Sequence, residues 1–198
     1  MRKYIGICFC CLFYITTQAQ NDFFKNPPII LSFYSHSIGT PLRDFVKTPL
    51  NFGLAIGTEF TYKQKKIKSL HQKVELGWYN HKNLQKGFWI KTDLVSRYRT
   101  KSGWYGETQG SLGYIQDFNA LETFELREGQ YQKIEKASKG HFLGGFGFGG
   151  GYETAVNDKY VVAPFVRYEG LLQFPYSKLT AVLPHTLFHV GTRVQLKK

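Results

Sequence analysis

The residues best equipped for chemistry in this sequence are titratable side chains set two positions apart. Lys73 with Glu75, Lys91 with Asp93, and Arg167 with Glu169 are such couples. Arg97, Glu107, Glu153 and Arg193 hold the same parity within their own segments. A spacing of two puts side chains on one face of a β-strand. Ten charges of both signs on the inner faces of several strands would converge on a confined interior, where they must pair or meet water. Two chemistries fit: a gated ion or solute path, or a salt-bridged plug that stabilises a closed barrel. The interior of an eight-stranded barrel is just filled by side chains, which favours the plug.

Other chemistry finds less support. His185 and His189 are four apart, a helical spacing for shared metal ligation. On a strand they share a face but lie roughly 13 Å apart along the chain, so interior polar residues are expected and no metal. The run Gly144 to Gly151 lacks the Gly-Lys-Ser/Thr ending of a phosphate loop and alternates like a strand. Its glycines are expected to make room for long side chains opposite. No cofactor is implied.

The elements that would position these residues show apolar alternation with period two. In Asn51 to Tyr62, Phe52, Leu54, Ile56, Thr58, Phe60 and Tyr62 fall on one face; Asn51, Gly53, Ala55, Gly57, Glu59 and Thr61 fall on the other. The pattern recurs in 70–81, 87–99, 104–118, 140–153, 160–173 and 185–196, with a shorter run at 29–36. Trp89 and Val95 are apolar exceptions on a polar face, and Tyr168 is read as outward. Most of these segments are long enough to cross a bilayer core when tilted. The fold class expected is all-β: an eight-stranded antiparallel up-and-down transmembrane β-barrel.

The connections run 37–50, 63–69, 82–86, 100–103, 119–139, 154–159 and 174–184. With the amino end in the periplasm, 63–69, 100–103 and 154–159 become short periplasmic turns, and the others, mostly longer, face outward. Outward aromatic residues gather at both rims. Tyr62, Tyr98, Trp104, Tyr152 and Tyr160 mark one; Phe52, Trp78, Phe88, Phe118, Phe142 and Phe174 mark the other. A soluble sandwich or lipocalin-like barrel is the alternative reading of the alternation.

The girdles and the loop asymmetry, together with the first residues, decide for the membrane. Arg2 and Lys3 precede an apolar stretch from Tyr4 to Ile15, and Thr17-Gln18-Ala19 follows. This is the pattern of a secretory signal peptide over 1–19, with 20–198 as the barrel domain. The three cysteines, Cys8, Cys10 and Cys11, fall inside it, so no disulfide or thiolate chemistry is expected beyond it. Removing Arg2 and Lys3 takes the 26 basic residues to 24 against 14 acidic ones, a net charge of +10. A basic exported chain faces lipid head groups and lipopolysaccharide phosphates rather than nucleic acid.

The carboxyl end reads polar-x-Gly-x-x-apolar-x-apolar through His189, Gly191, Val194 and Leu196. It resembles the assembly signal that the barrel-insertion machinery reads on the last strand of outer-membrane barrels. Leu196 departs from the usual terminal aromatic, and Lys197-Lys198 trail it. The Thr-Gln-Ala-Gln signal end, Gly103-Trp104-Tyr105, Gly144 to Tyr152 and Leu183-Pro184-His185-Thr186 resemble small outer-membrane barrels of Bacteroidota. The resemblance covers most of the chain after residue 50. It implies the outer membrane of a Gram-negative bacterium and no particular activity.

Lipid A acyl transfer and deacylation occur on barrels of this size and would need a nucleophile and base near the outer leaflet. His36, His81, His141, His185 and His189 stand among Ser35, Ser37 and Ser177 without a recognisable spacing, and the His-x-Ser-Asn pattern of the deacylases is absent. The expected function is therefore a structural or surface-interaction barrel, not an enzyme, with a lipid-modifying enzyme or a narrow channel as alternatives. In 119–139, two short alternating runs flank Gly129. They predict a hairpin prolonging the fifth and sixth strands, with Phe124, Tyr131 and Ile134 as candidate contacts for a surface protein partner.

Overall fold

The computed structural model describes residues 26–39, 51–80, 85–119, 123–127, 130–134, 138–176 and 181–196. The signal region 1–19, His81, Ser177, and most of the connections around 40–50 and 177–180 lie outside the described residues. The strands are β1 (Ile29–Ile38), β2 (Asn51–Gln64), β3 (Lys68–Asn80), β4 (Gln85–Arg99), β5 (Trp104–Asn119), β6 (Thr123–Arg127), β7 (Gln130–Ile134), β8 (Lys139–Tyr152), β9 (Thr154–Ala155), β10 (Tyr160–Phe174) and β11 (Leu183–Leu196).

Eight of these, β1–β5, β8, β10 and β11, pair antiparallel with their neighbours, and β11 pairs with both β10 and β1. The sheet therefore closes on itself and leaves no open edge, the arrangement that satisfies every strand's backbone groups without water. β9 is a two-residue extension against β10.

The register fixes the stagger. Following partners one way from Tyr34 leads through Gly53, Tyr79 and Gly87 to Asp117 on β5. The other way leads through His189, Arg167 and Gly149 to Glu107, ten residues away on the same strand. A shear of ten on eight strands tilts them steeply, and the lumen is narrow enough to be filled by side chains.

Alternation has the sense of a lipid-facing barrel. Leu31, Phe33, Phe52, Leu54, Ile56, Leu76, Ile90, Leu112, Phe146 and Val190 are exposed, Phe33 to 70%. Lys73, Glu75, Lys91, Asp93, Arg167 and Glu169 are buried. An apolar belt of this extent in water would far exceed what soluble monomers expose; in lipid it is the favoured surface. Trp89 and Val95 face inward, 2% and 0% exposed.

Tyr168 departs from the sequence reading. Its parity is outward, yet it is buried: Phe148 and Phe188 are its partners on either side, and the Phe148 ring centroid is 5.5 Å away. The predicted hairpin exists, but as β6 and β7 pairing with each other in a sheet of their own, Thr123 opposite Ile134. Among the described residues the β5–β8 pairing runs as far as Asp117 and Lys139, and the hairpin stands in a separate sheet.

Large interior side chains need space, and glycines on adjacent strands supply it. A methyl group at Gly149 would meet Arg167, at Gly147 Glu169, at Gly57 Glu75 and at Gly113 Lys91. Gly53 and Gly77 lie under the rings of Tyr34 and Trp89. The glycine-rich face of β8 is thus the bed of the charges on β10.

Candidate functional site

The interior is built in levels, each set by where its residues fall along the tilted strands. At its centre is a six-charge cluster. Lys91 Nζ donates to Glu75 at 2.9 Å, Asp93 at 2.7 Å and Glu169 at 3.1 Å. Lys73 Nζ lies 3.2 Å from Asp93 and 3.5 Å from Glu75, and donates to Gln109 at 2.6 Å. Arg167 Nη2 donates to both oxygens of Glu75, at 3.0 and 2.9 Å, while its Nε is 2.6 Å from Glu169. Three cations face three carboxylates, and none of the six side chains is more than 2% exposed.

The carboxylates of Glu75, Asp93 and Glu169 lie close enough together to hold a metal ion. The Lys91 ammonium already stands among all three, so the cage is filled by the chain's own cation.

Towards the short-turn end lies a second cluster. Arg97 bridges Glu59, at 2.7 and 2.8 Å, and Glu107, at 2.8 and 3.0 Å. Two-pronged guanidinium–carboxylate pairing of this kind fixes geometry as well as charge. His71 Nδ1 is 3.2 Å from Glu59. Arg193 lies 3.7 Å from Glu59 and 3.4 Å from Glu153, which also takes Arg99 at 2.5 Å. The Arg97 and Arg193 guanidinium carbons lie 5.2 and 5.0 Å from the Tyr105 ring centroid.

Towards the other end, hydrogen bonds link His36 to His185 at 2.8 Å, His185 to Gln173 at 2.7 Å, Gln173 to Asp117 at 2.5 Å and Tyr79 to Asp117 at 2.6 Å. The Tyr79 ring then contacts His36, with centroids 4.6 Å apart, closing a circuit. His141 Nε2 is 3.8 Å from Asp117.

An apolar layer separates this polar circuit from the central cluster. Leu187 sits between His189 and His185 on β11, Leu171 between Glu169 and Gln173 on β10, and Tyr34 between Ser32 and His36 on β1. Trp89 and Leu143 complete it, with Trp89 Nε1 donating to Tyr34 Oη at 3.0 Å. Two interior voids, one beside this layer and one beside Arg97 and Arg167, are each about 10 Å³. Neither holds more than a single water.

All ten charges named from the sequence lie in this interior, with Glu153 half-exposed at the rim. Glu59, which completes the Arg97 cluster, was legible on the inner face of β2. The polar circuit was not: its members come from β1, β3, β5, β10 and β11, and only the closed register brings them together. Ser35 and Ser37 are on the opposite face from His36, whose ring bonds to His185 instead. At the assembly motif, His189 is fully buried, Gly191 lies beneath Phe165, Val194 is half-buried and Leu196 is exposed. The hairpin backbone carries Phe124, Tyr131 and Ile134 opposite Lys133, Leu126 and Thr123.

No protein-family model matches the chain, and no curated protein does. Among solved structures it is similar to Neisserial surface protein A, at 12% identity and a TM-score of 0.53, over 88% of this chain and 98% of that one. Weaker likenesses are Ail of Yersinia pestis (14% identity, 86% and 97% covered, TM-score 0.39) and OprG from Pseudomonas aeruginosa (12%, 87% and 97%, 0.37). The chain has the fold of an eight-stranded outer-membrane barrel. The likeness is one of fold, and the apolar exterior independently assigns the barrel wall to lipid.

Proposed function

We propose that the protein is a closed, non-conducting barrel of the Gram-negative outer membrane with a structural or surface-interaction role and no catalytic activity. The observation that carries this reading is the filled interior: an apolar layer across the lumen, with balanced ion pairs on one side of it and a hydrogen-bonded polar circuit on the other. A charge crossing that layer would lose its hydration with no partner to replace it. Planar-bilayer recording of the purified barrel tests it. No conductance steps are expected; discrete, reproducible steps abolished by unfolding would replace the plug with a channel.

The same reading includes export by the signal 1–19, a small barrel of the Bacteroidota type, and insertion guided by His189, Gly191, Val194 and Leu196. The barrel would contact membrane lipid and lipopolysaccharide. The β6–β7 hairpin would then be the surface element offered to a protein partner, through an exposed strand edge and Phe124, Tyr131 and Ile134.

A further inference from the structure

The end of the barrel joined by short turns carries a concentration of positive charge that neither the interior nor the proposed surface role uses. Lys63, Lys65, Lys66 and Lys68 surround the β2–β3 turn, Lys101 lies in the β4–β5 turn, and Lys159 immediately precedes β10. All six are exposed. None forms an ion pair among the described residues. Nearby carboxylates are committed elsewhere: Glu153 takes Arg99 and Arg193, and Glu59 and Glu107 take Arg97. Asp158 alone stands exposed beside Lys159 among the described residues of that turn.

This lysine rim sits directly against one aromatic girdle. Tyr62, Tyr98, Trp104, Tyr152 and Tyr160 are all exposed on the outward face at this end. Lys68 Nζ lies 5.1 Å from the Tyr98 ring centroid, and the Trp104 and Tyr152 rings are 5.2 Å apart. In the turns themselves Ile67 and Val156 are 65% and 64% exposed. Amphipathic rings mark the depth where acyl chains give way to head groups. Lysines anchored at that depth extend their stems along apolar surface and place the ammonium among phosphates. Exposed aliphatic residues beside them suit the same boundary and would be poorly placed in bulk water.

We infer that this rim is a binding surface for anionic phospholipid head groups in the leaflet adjoining the short turns. The inference rests on the lipid-embedded reading of the barrel.

The test uses the full barrel reconstituted in mixed phosphatidylcholine and phosphatidylglycerol vesicles, with Trp78→Phe removing the exposed tryptophan of the other end. Trp104 at the rim then reports, while Trp89 is shielded inside. Quenching by brominated phosphatidylglycerol in plain phosphatidylcholine is compared with the reverse mixture. The expected result is preferential quenching by the anionic lipid, an enrichment on the order of tenfold at low salt that falls as salt rises. K63Q/K65Q/K66Q/K68Q should bring the enrichment close to one, and the corresponding four Lys→Arg changes should keep it. Equal quenching by both lipids, or an enrichment indifferent to salt or to the glutamine changes, overturns the inference while leaving the membrane reading intact. Absence of quenching by either lipid overturns the membrane reading itself. Should the glutamine variant not fold, the salt titration and the arginine variant still decide.

Discussion

Glu75 faces all three cations of the central cluster, and replacing it should show what that cluster contributes. Its two oxygens receive Arg167 at 3.0 and 2.9 Å and Lys91 at 2.9 Å, with Lys73 3.5 Å away. Glu75→Leu leaves three buried cations facing Asp93 and Glu169 alone. Breaking a buried pair by removing one partner costs about 3–5 kcal/mol. The lower end of that range is expected, because Arg167 keeps Glu169 at 2.6 Å and Lys91 keeps Asp93 at 2.7 Å. Adding Arg167→Met restores balance, two cations to two carboxylates. The double variant should therefore recover roughly 2 kcal/mol relative to the sum of the singles, within the range found for contacting residues. Urea titration of the refolded barrel, with folded and unfolded forms separated by unheated gel migration, measures all three. A single-variant cost under about 1 kcal/mol, or additive losses in the double, would refute the cluster as a cooperative plug.

Gly77→Val should destabilise the barrel by about 1–3 kcal/mol or prevent folding, since even a methyl group there would overlap the Trp89 ring, whereas Gly110→Ala, with open space outside it, should be tolerated in the same titration. Single cysteines replacing Asp44 and Gly129 should label on whole cells with a membrane-impermeant reagent, and those replacing Lys66 and Lys101 should not; the reverse pattern would invert the orientation. Deleting 121–136 in favour of a tight turn should leave insertion unchanged and abolish crosslinked capture of a surface partner, and capture that survives would move the site to 37–50 or 174–184.

The alternation of β2 was fully readable: Phe52, Leu54 and Ile56 outward against Ala55, Gly57 and Glu59 is a local pattern, and parity decides which face each residue takes. Charge identity added the sense, since Lys91 and Asp93 could not face lipid. Trp89 and Leu187 resisted reading because an apolar side chain is compatible with either face; only the register shows that they cross the lumen as a layer, while Val95, also inward, lies between Asp93 and Arg97. Tyr168 failed for a related reason, its exposure being decided by Phe148 and Phe188 on neighbouring strands. The individual partners were equally hidden. Arg167 and Glu75 are 92 residues apart in sequence, and their meeting depends on a shear that no single strand encodes.

β2 shows its apolar face to lipid and its small and charged face to a filled interior. Spin labels placed singly at 52 to 60 in the reconstituted barrel test it, by comparing relaxation by oxygen with relaxation by a water-soluble nickel chelate. Phe52, Leu54, Ile56, Thr58 and Phe60 should be oxygen-accessible and shielded from nickel, with Gly53, Ala55, Gly57 and Glu59 shielded from both, a period of two along the strand. Nickel accessibility at the even positions would place that face in water and contradict the account.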